Sequence, residues 1–298
     1  MKKVDSGVLF MLGSAVISAL NGALTKILSE DISALEIIFF RNLIGVFIIL
    51  STLKHTALKL IGGNIYLLFI RGIFGFMAMI LFFYTITVIP LGEAITLNKT
   101  SPFFVTLLAY FLLYEDMSKR TLFALLIGFF GVVLITKPFG MNFSYVHFLG
   151  ILGGFFAAAA YTTIKKIKDM YESRMIMLSF VGMGTFLPAL LFLIAPFIKV
   201  PASLDFLFPE FLMPQSLDVW LFIVVMAIIS TLSQWLLTKV YSAKNLSVIG
   251  VVSYTNIPFA IGFGYMLGDN FPDMLTIMGI IFIIFGGILV SRKSQVKS

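Results

Sequence analysis

The stretch YTITVIPLGEAITLNKTSPFFVTLLAYFLLYE, residues 84–115, opens with Tyr84 six residues before Pro90. It runs through Leu91-Gly92-Glu93 and Pro102 to Tyr114-Glu115, and the apolar run after it carries Gly128 and Gly131. The same landmarks return later in the same order: Tyr241, Pro258, Gly268-Asp269, then a run with Gly279, Gly286 and Gly287. The tyrosines are 157 residues apart, the prolines 156 and the acids 154, a drift that small gaps absorb. Weak self-similarity at half-length is the expected trace of a duplicated membrane unit.

Around this stretch the chain divides into long apolar segments. A hydrocarbon core about 30 Å thick needs roughly 20 apolar residues per helix. The pattern predicts spans at about 7–28, 34–52, 66–88, 93–113 and 120–137, then at 146–164, 175–196, 217–239, 246–267 and 274–291. These are continuous apolar runs without period-two alternation, which excludes a β-barrel. Of 21 Lys and Arg residues, fifteen lie at the two ends and in every second gap. The other gaps hold only Lys137 and Lys199 among basic residues, beside Glu30, Asp31, Glu93, Asp205, Glu210, Asp218, Asp269 and Asp273. Lys and Arg are retained on the cytoplasmic side during insertion, and acidic residues have little influence. The expected topology is ten crossings of the cell inner membrane with both termini cytoplasmic.

The expected fold is all-α and integral to the membrane, with one five-helix repeat over 1–138 and a second over 139–298. Five crossings is an odd number, so the second copy enters from the opposite side. An inverted repeat of this kind places a binding site near the midplane and permits two mirror-related states. Composition agrees: 60% of residues are hydrophobic and only 12% charged, far from a soluble domain. The net charge of +7 sits on one side of a bilayer, so anionic lipid is a better partner for it than nucleic acid. There is no cysteine, which excludes disulfides and thiolate metal sites. Met1-Lys2-Lys3 before an apolar run resembles a signal peptide, but the run from Gly7 to Leu28 is too long and contains Asn21. It reads as the first span. From Pro196 to Ser216, four prolines alternate with Phe206, Phe208 and Phe211; this segment reads as an interfacial cap in preference to a moving lid.

The landmarks resemble the EamA branch of the drug/metabolite transporter superfamily. The residues carrying this are Phe39-Phe40-Arg41-Asn42, Arg71-Gly72 through Tyr84, Pro90-Leu91-Gly92-Glu93-Ala94, Ser101-Pro102, Glu115 and Gly128-Phe129-Phe130-Gly131. Pro258, Gly268-Asp269 and Gly286-Gly287 match more loosely in the second half. The resemblance implies a carrier with a central cavity lined mainly by helices 1, 3, 4, 6, 8 and 9. Families of this type move amino acids, nucleotide derivatives, amines and organic anions.

Polar groups inside lipid are costly and tend to face the bundle interior or a water-filled cavity. Lys99 lies six residues into the fourth span. Pro102 follows it and cannot bond the carbonyl of Asn98, so an ammonium sits beside a loosened turn with Asn98, Thr100 and Ser101. That arrangement suits a carboxylate or phosphate; the structural alternative pairs Lys99 with Glu36 or Glu93. Arg41 offers a guanidinium fork to a carboxylate, or joins Glu36 in a buried network. Arg71 lies five residues from the inner end of its span and either snorkels to the cytoplasm or binds substrate; Lys26, two residues from the outer end of its own span, is expected to snorkel. Asn21 and Asn256 either bind substrate or bond across helix interfaces. Tyr254 beside Asn256 strengthens the binding reading there. Gln234 and Trp235 form a gate or an interfacial anchor. Phe76 or Phe83 supply apolar wall, and Tyr161 can reach the cavity. Pro102 and Pro258 read as matched kinks that free carbonyls to line a cavity. The paired glycines Gly72/Gly75, Gly128/Gly131 and Gly153-Gly154 lack a phosphate-loop order and read as close helix packing.

Enzymatic chemistry is not expected. His55 and His147 fall in or near loops on opposite sides, and no intramembrane carboxylate pair, metal cluster or serine–base set is present. No cofactor or metal is expected. The sequence predicts a secondary transporter, acting as a monomer or homodimer, that moves a small polar metabolite by alternating access. Cationic groups outnumber carboxylates in the spans, which favours an amino acid or organic anion. The alternatives are a lipid or lipid-linked flippase and a non-transporting membrane enzyme or scaffold.

Overall fold

A computed structural model describes residues 6–53, 63–113, 119–137, 144–242, 254 and 256–291. Its helices are α1 (Ser6–Leu28), α2 (Ala34–Leu53), α3 (Ile65–Val88), α4 (Leu91–Asn98), α5 (Ser101–Leu113), α6 (Lys119–Thr136), α7 (Tyr145–Ile167), α8 (Ser173–Ile194), α9 (Leu217–Ser242), α10 (Asn256–Met266) and α11 (Met274–Ser291). Short 3₁₀ turns occupy Ala195–Phe197 and Ala202–Leu207. The described residues contain no β-strand. Five of the helices are long and apolar enough to cross a bilayer by length and composition. Large apolar side chains cover the outside, including Phe47, Tyr66, Phe129, Phe148, Phe186 and Ile281. A soluble protein would bury such a belt; in a bilayer it faces acyl chains.

Helix contacts are built on small residues. A Cβ on Gly131 would stand 2.6 Å from the Gly279 carbonyl oxygen, and one on Gly279 would stand 2.6 Å from that of Gly131. The α6–α11 pair is therefore in backbone contact. α7 uses Gly150, Gly153, Gly154 and Ala157–Ala160 to lie against α3, α4 and α5. Further pairs are α1 with α9 and α10, α2 with α8 and α9, α3 with α8, and α4 with α10.

The predicted single span 93–113 is two helices. α4 stops at Asn98, Lys99 caps it, and α5 begins at Ser101 with Pro102 as its second residue. Thr100 turns back on Leu97 through both its N–H (3.1 Å) and its hydroxyl (2.7 Å). The site of a Gly154 Cβ lies 2.7 Å from the Thr100 Oγ1 and 3.3 Å from the carbonyl oxygens of Leu97 and Asn98. Pro102 thus follows a break instead of bending a continuous helix. Pro258 is the third residue of α10 and is exposed; the predicted span 246–267 lies largely outside the described residues before Asn256.

One end of the bundle is tied by polar contacts. Ser33 and Glu36 cap α2 reciprocally, with the Ser33 N–H donating to Glu36 at 2.7 Å and the Glu36 N–H to the Ser33 hydroxyl at 3.2 Å. The second oxygen of Glu36 accepts the N–H of Leu212. The segment around Leu212 therefore caps α2, and Phe211 packs on Phe39, Phe40 and Phe192. Phe206 stacks on Tyr84 with ring centroids 4.1 Å apart, and Tyr84 shares a 2.8 Å hydrogen bond with Tyr145. The proline-rich segment is docked on the bundle, as a cap would be.

Candidate functional site

A cavity of about 150 Å³ lies near the middle of the long helices. Its walls come from α1, α2, α3, α4, α7, α8, α9 and α10. Of the residues singled out in the sequence, Asn21, Arg41, Arg71, Asn98, Lys99, Tyr161, Gln234 and Asn256 all line it. Phe76 and Tyr254 do not. Phe76 is buried in the apolar core among α2, α3 and α8, and Phe83 takes the wall position. Tyr254 packs into α11, where a Cβ on Gly287 would collide with its phenol ring. It is core, not cavity wall.

Arg41 is only 5% exposed and does not pair with Glu36, whose oxygens are used by Ser33 and Leu212. Its Nη2 donates weakly to Asn42 Oδ1 at 3.4 Å, its guanidinium carbon lies 5.2 Å from the Phe83 ring centre, and its Nε has no partner. The buried Arg–Glu network is absent. Of the two readings of Arg71, the structure shows the inward one: it does not snorkel and is 2% exposed. It lies 4.9 Å from the centre of the Phe180 ring, against Gly75, with Nε and Nη1 unpartnered. A Cβ at Gly75 would come within 2.5 Å of Nη1, so the glycine makes room for the guanidinium. Lys99 leaves the α4–α5 break and lines the cavity, and its ammonium makes no hydrogen bond or ion pair among the described residues. Glu93 lies near His147 (3.7 Å) instead.

Asn21 accepts a 2.6 Å hydrogen bond from Ser230, joining α1 to α9. Asn256 donates to Ser18 at 3.1 Å, joining α10 to α1, while its Oδ1 is buried without a partner. Both asparagines therefore bridge helices and face the cavity. Trp235 packs against the apolar core. No group of three or more His, Cys, Asp or Glu residues suited to a metal occurs among the described residues.

Ser18, Ser230, Ser233 and Phe180 also line the cavity and were not singled out. A signal was present. Ser18 and Asn21 are three apart on α1, and Ser230, Ser233 and Gln234 follow i, i+3, i+4 on α9, so each set marks one polar face of an apolar helix. Phe180 offers no such signal in a phenylalanine-rich chain.

At the capped end, Lys26 of α1 pairs with Asp269, whose other oxygen accepts the N–H of Leu91 (2.8 Å), a free donor of the first turn of α4. Backbone geometry holds Asp269 there. Gly268 has φ +93° and ends α10, with Gly268 N–H bonded to Tyr265 O (3.2 Å) and Asp269 N–H to Gly264 O (2.9 Å), a Schellman cap that favours glycine. A Cβ on Gly264 would come within 2.6 Å of the Asp269 carboxylate. Lys26 therefore forms an ion pair and does not snorkel.

Known proteins agree with this architecture. The family model described as the EamA-like transporter family matches residues 5–137. The chain is 30% identical over 294 residues to the pseudopaline exporter of Pseudomonas aeruginosa, covering 98% of each protein. It is 24% identical over 303 residues to the S-adenosylmethionine uptake transporter of Rickettsia prowazekii, covering 100% of this chain and 97% of that one. A protein of known crystal structure superposes with a TM-score of 0.63 at 16% identity, covering 99% of this chain and 100% of that one, and so shares the fold. The chain belongs to the EamA-like transporter family: it is a multi-pass membrane protein that transports small molecules and is not an enzyme.

Proposed function

We propose that the chain is a secondary transporter of the inner membrane, with cytoplasmic termini, that moves a small polar metabolite bearing an anionic group by alternating access. The observation that carries this reading is the mid-depth cavity onto which Arg41, Arg71 and Lys99 converge with Asn21, Asn98, Tyr161, Gln234 and Asn256. The cations attract the anionic group, the amides orient it, and Phe83 and Phe180 cover its apolar part. Relatives named for export and for uptake support transport of a metabolite.

The two repeats are assigned to 1–138 and 139–298. Helix contacts support a twofold correspondence between them, and the odd number of crossings per repeat is what inverts the second. α1–α9 corresponds to α3–α7, α2–α9 to α3–α8, and the contact of α1 with α10 to that of α7 with α4 and α5. The pairs α2–α8, α4–α10 and α6–α11 join equivalent helices. The end tied by Lys26–Asp269, Glu36–Leu212 and Tyr84–Phe206 is the periplasmic side in the topology read from charge. These contacts would have to part when the cavity opens outward.

The test is uptake by liposomes containing the purified protein, over a panel of labelled amino acids, organic anions and amines. Lys99→Ala should abolish the flux while leaving the folded fraction unchanged. Headgroup scrambling without solute flux would replace this reading with a flippase.

A further inference from the structure

Every described acid lies away from the cavity wall, and three cations lie on it. Among the described Asp and Glu residues, none belongs to the lining. Those at the edges of the spans are occupied: Glu36 by Ser33 and Leu212, Glu93 near His147, Asp269 by Lys26 and Leu91. Residues 243–253, which lie outside the described structure, contain no acid in sequence. Among the described residues, the charges of Arg41, Arg71 and Lys99 thus have no carboxylate to neutralise them, and three guanidinium nitrogens are buried without a partner. Uncompensated buried charge is strongly unfavourable. An occupant with one negative charge would leave most of it in place.

The cations also form two poles along α3. The Arg71 guanidinium lies against Gly75, and that of Arg41 lies over Phe83. Eight residues of helix separate those positions, about 12 Å at about 1.5 Å per residue. A bidentate guanidinium–carboxylate contact places the two carbon centres about 4 Å apart. Subtracting this at each pole leaves about 4 Å between two carboxyl carbons along the helix axis, and any lateral offset lengthens it. Lys99 stands between the poles. Gly154 touches the α4–α5 break, while its neighbour Gly153 packs on Ala78 and Leu81, level with the middle of this interval.

We propose that the substrate is a compact dianion, a short dicarboxylate of about four to six carbons or a molecule with the same pair of acidic groups, held with one acid at Arg41 and the other at Arg71. A cavity of about 150 Å³ is of the size that admits a benzene-sized molecule, which fits the short end of this range. The inference rests on the transport reading above and goes beyond its single anionic group.

The test is a thermal-shift titration of the purified protein at fixed ionic strength with matched straight-chain mono- and dicarboxylates of two to six carbons. Dicarboxylates should stabilise at concentrations at least about tenfold lower than their monocarboxylate counterparts, through mass action on the folded state. Arg41→Met and Arg71→Met should each reduce that preference to the monocarboxylate level without lowering the ligand-free midpoint, because each removes an uncompensated charge. If Arg71→Met does not fold, Arg71→Lys serves: it keeps the charge, loses the fork, and should retain the preference with weaker binding. Equal stabilisation by both series, a preference untouched by either arginine variant, or no response to any dicarboxylate would overturn the dianion. Liposome flux of a monocarboxylate, amine or neutral solute alongside such a result would leave the transport reading standing; absence of flux for every solute class would remove the transport reading instead.

Discussion

Removing the charge of Asp269 should release the closure that it forms with Lys26, on the proposed periplasmic side, without dismantling the bundle. Asn at this position keeps an acceptor for the Leu91 N–H, now at 2.8 Å, and loses only the attraction to Lys26. The two side chains are 12% and 21% exposed, between the fully exposed pairs worth about 0–1 kcal/mol and the buried pairs whose disruption costs about 3–5 kcal/mol. A cost of about 2 kcal/mol is the reasonable middle. If the pair forms only when this end is closed, that cost shifts the closed-to-open ratio about 30-fold. The chain has no cysteine, so Ser233→Cys, on the cavity wall, supplies a single reporter thiol. In right-side-out vesicles, Asp269→Asn should raise the rate of labelling by a membrane-impermeant maleimide by up to about 30-fold. Lys26→Met should match it, and the double variant should add little, since both remove one interaction. An unchanged labelling rate in a folded Asp269→Asn protein would refute the latch.

Two further expectations concern packing and charge. Gly131→Ala places a methyl 2.6 Å from the Gly279 carbonyl oxygen and should part α6 from α11 at a cost of about 1–3 kcal/mol. The thermal midpoint in detergent should fall by several degrees, whereas Gly13→Ala, which meets nothing within 4 Å, should leave it unchanged. Outside the membrane, Asp273 is held down from 3.8 to about 2 by its hydrogen bond from Lys137 and by that from the Thr276 N–H at the start of α11. Its folded value lies below the unfolded one, so the stabilisation is present above pH 3.8 and is lost as pH falls towards 2. Acid unfolding profiles of the wild type and Asp273→Asn should therefore differ at neutral pH and converge near pH 2; a constant difference across that window would contradict the assignment.

Much of the helical pattern was legible because hydrophobic length is a local property. The predicted spans 34–52, 66–88 and 217–239 fall on Ala34–Leu53, Ile65–Val88 and Leu217–Ser242. What escaped depends on neighbours distant in sequence. Pro102 signals a missing hydrogen bond, but the break at Lys99-Thr100 is shaped by contact with Gly154 on α7. Arg71 is near enough to the end of α3 to snorkel; Phe180 and Gly75 instead give it an aromatic face and the room to turn inward. Phe76 and Phe83 are both buried in the same core, and only the inward turn of Arg41 from α2 puts Phe83 on the cavity wall as well. Polar residues were the more readable part of the cavity, since a span offers them few other places to go.

Alternating access requires that one central site be exposed in turn to the two sides of the membrane. Counterflow measures this directly: liposomes carrying the protein are loaded with an unlabelled anionic substrate and diluted into a trace of the same compound, labelled. Alternating access predicts a transient accumulation of label above its equilibrium level, lost in Lys99→Ala. Label that rises monotonically to equilibrium at any loading would mean a passive pore, and would contradict the account.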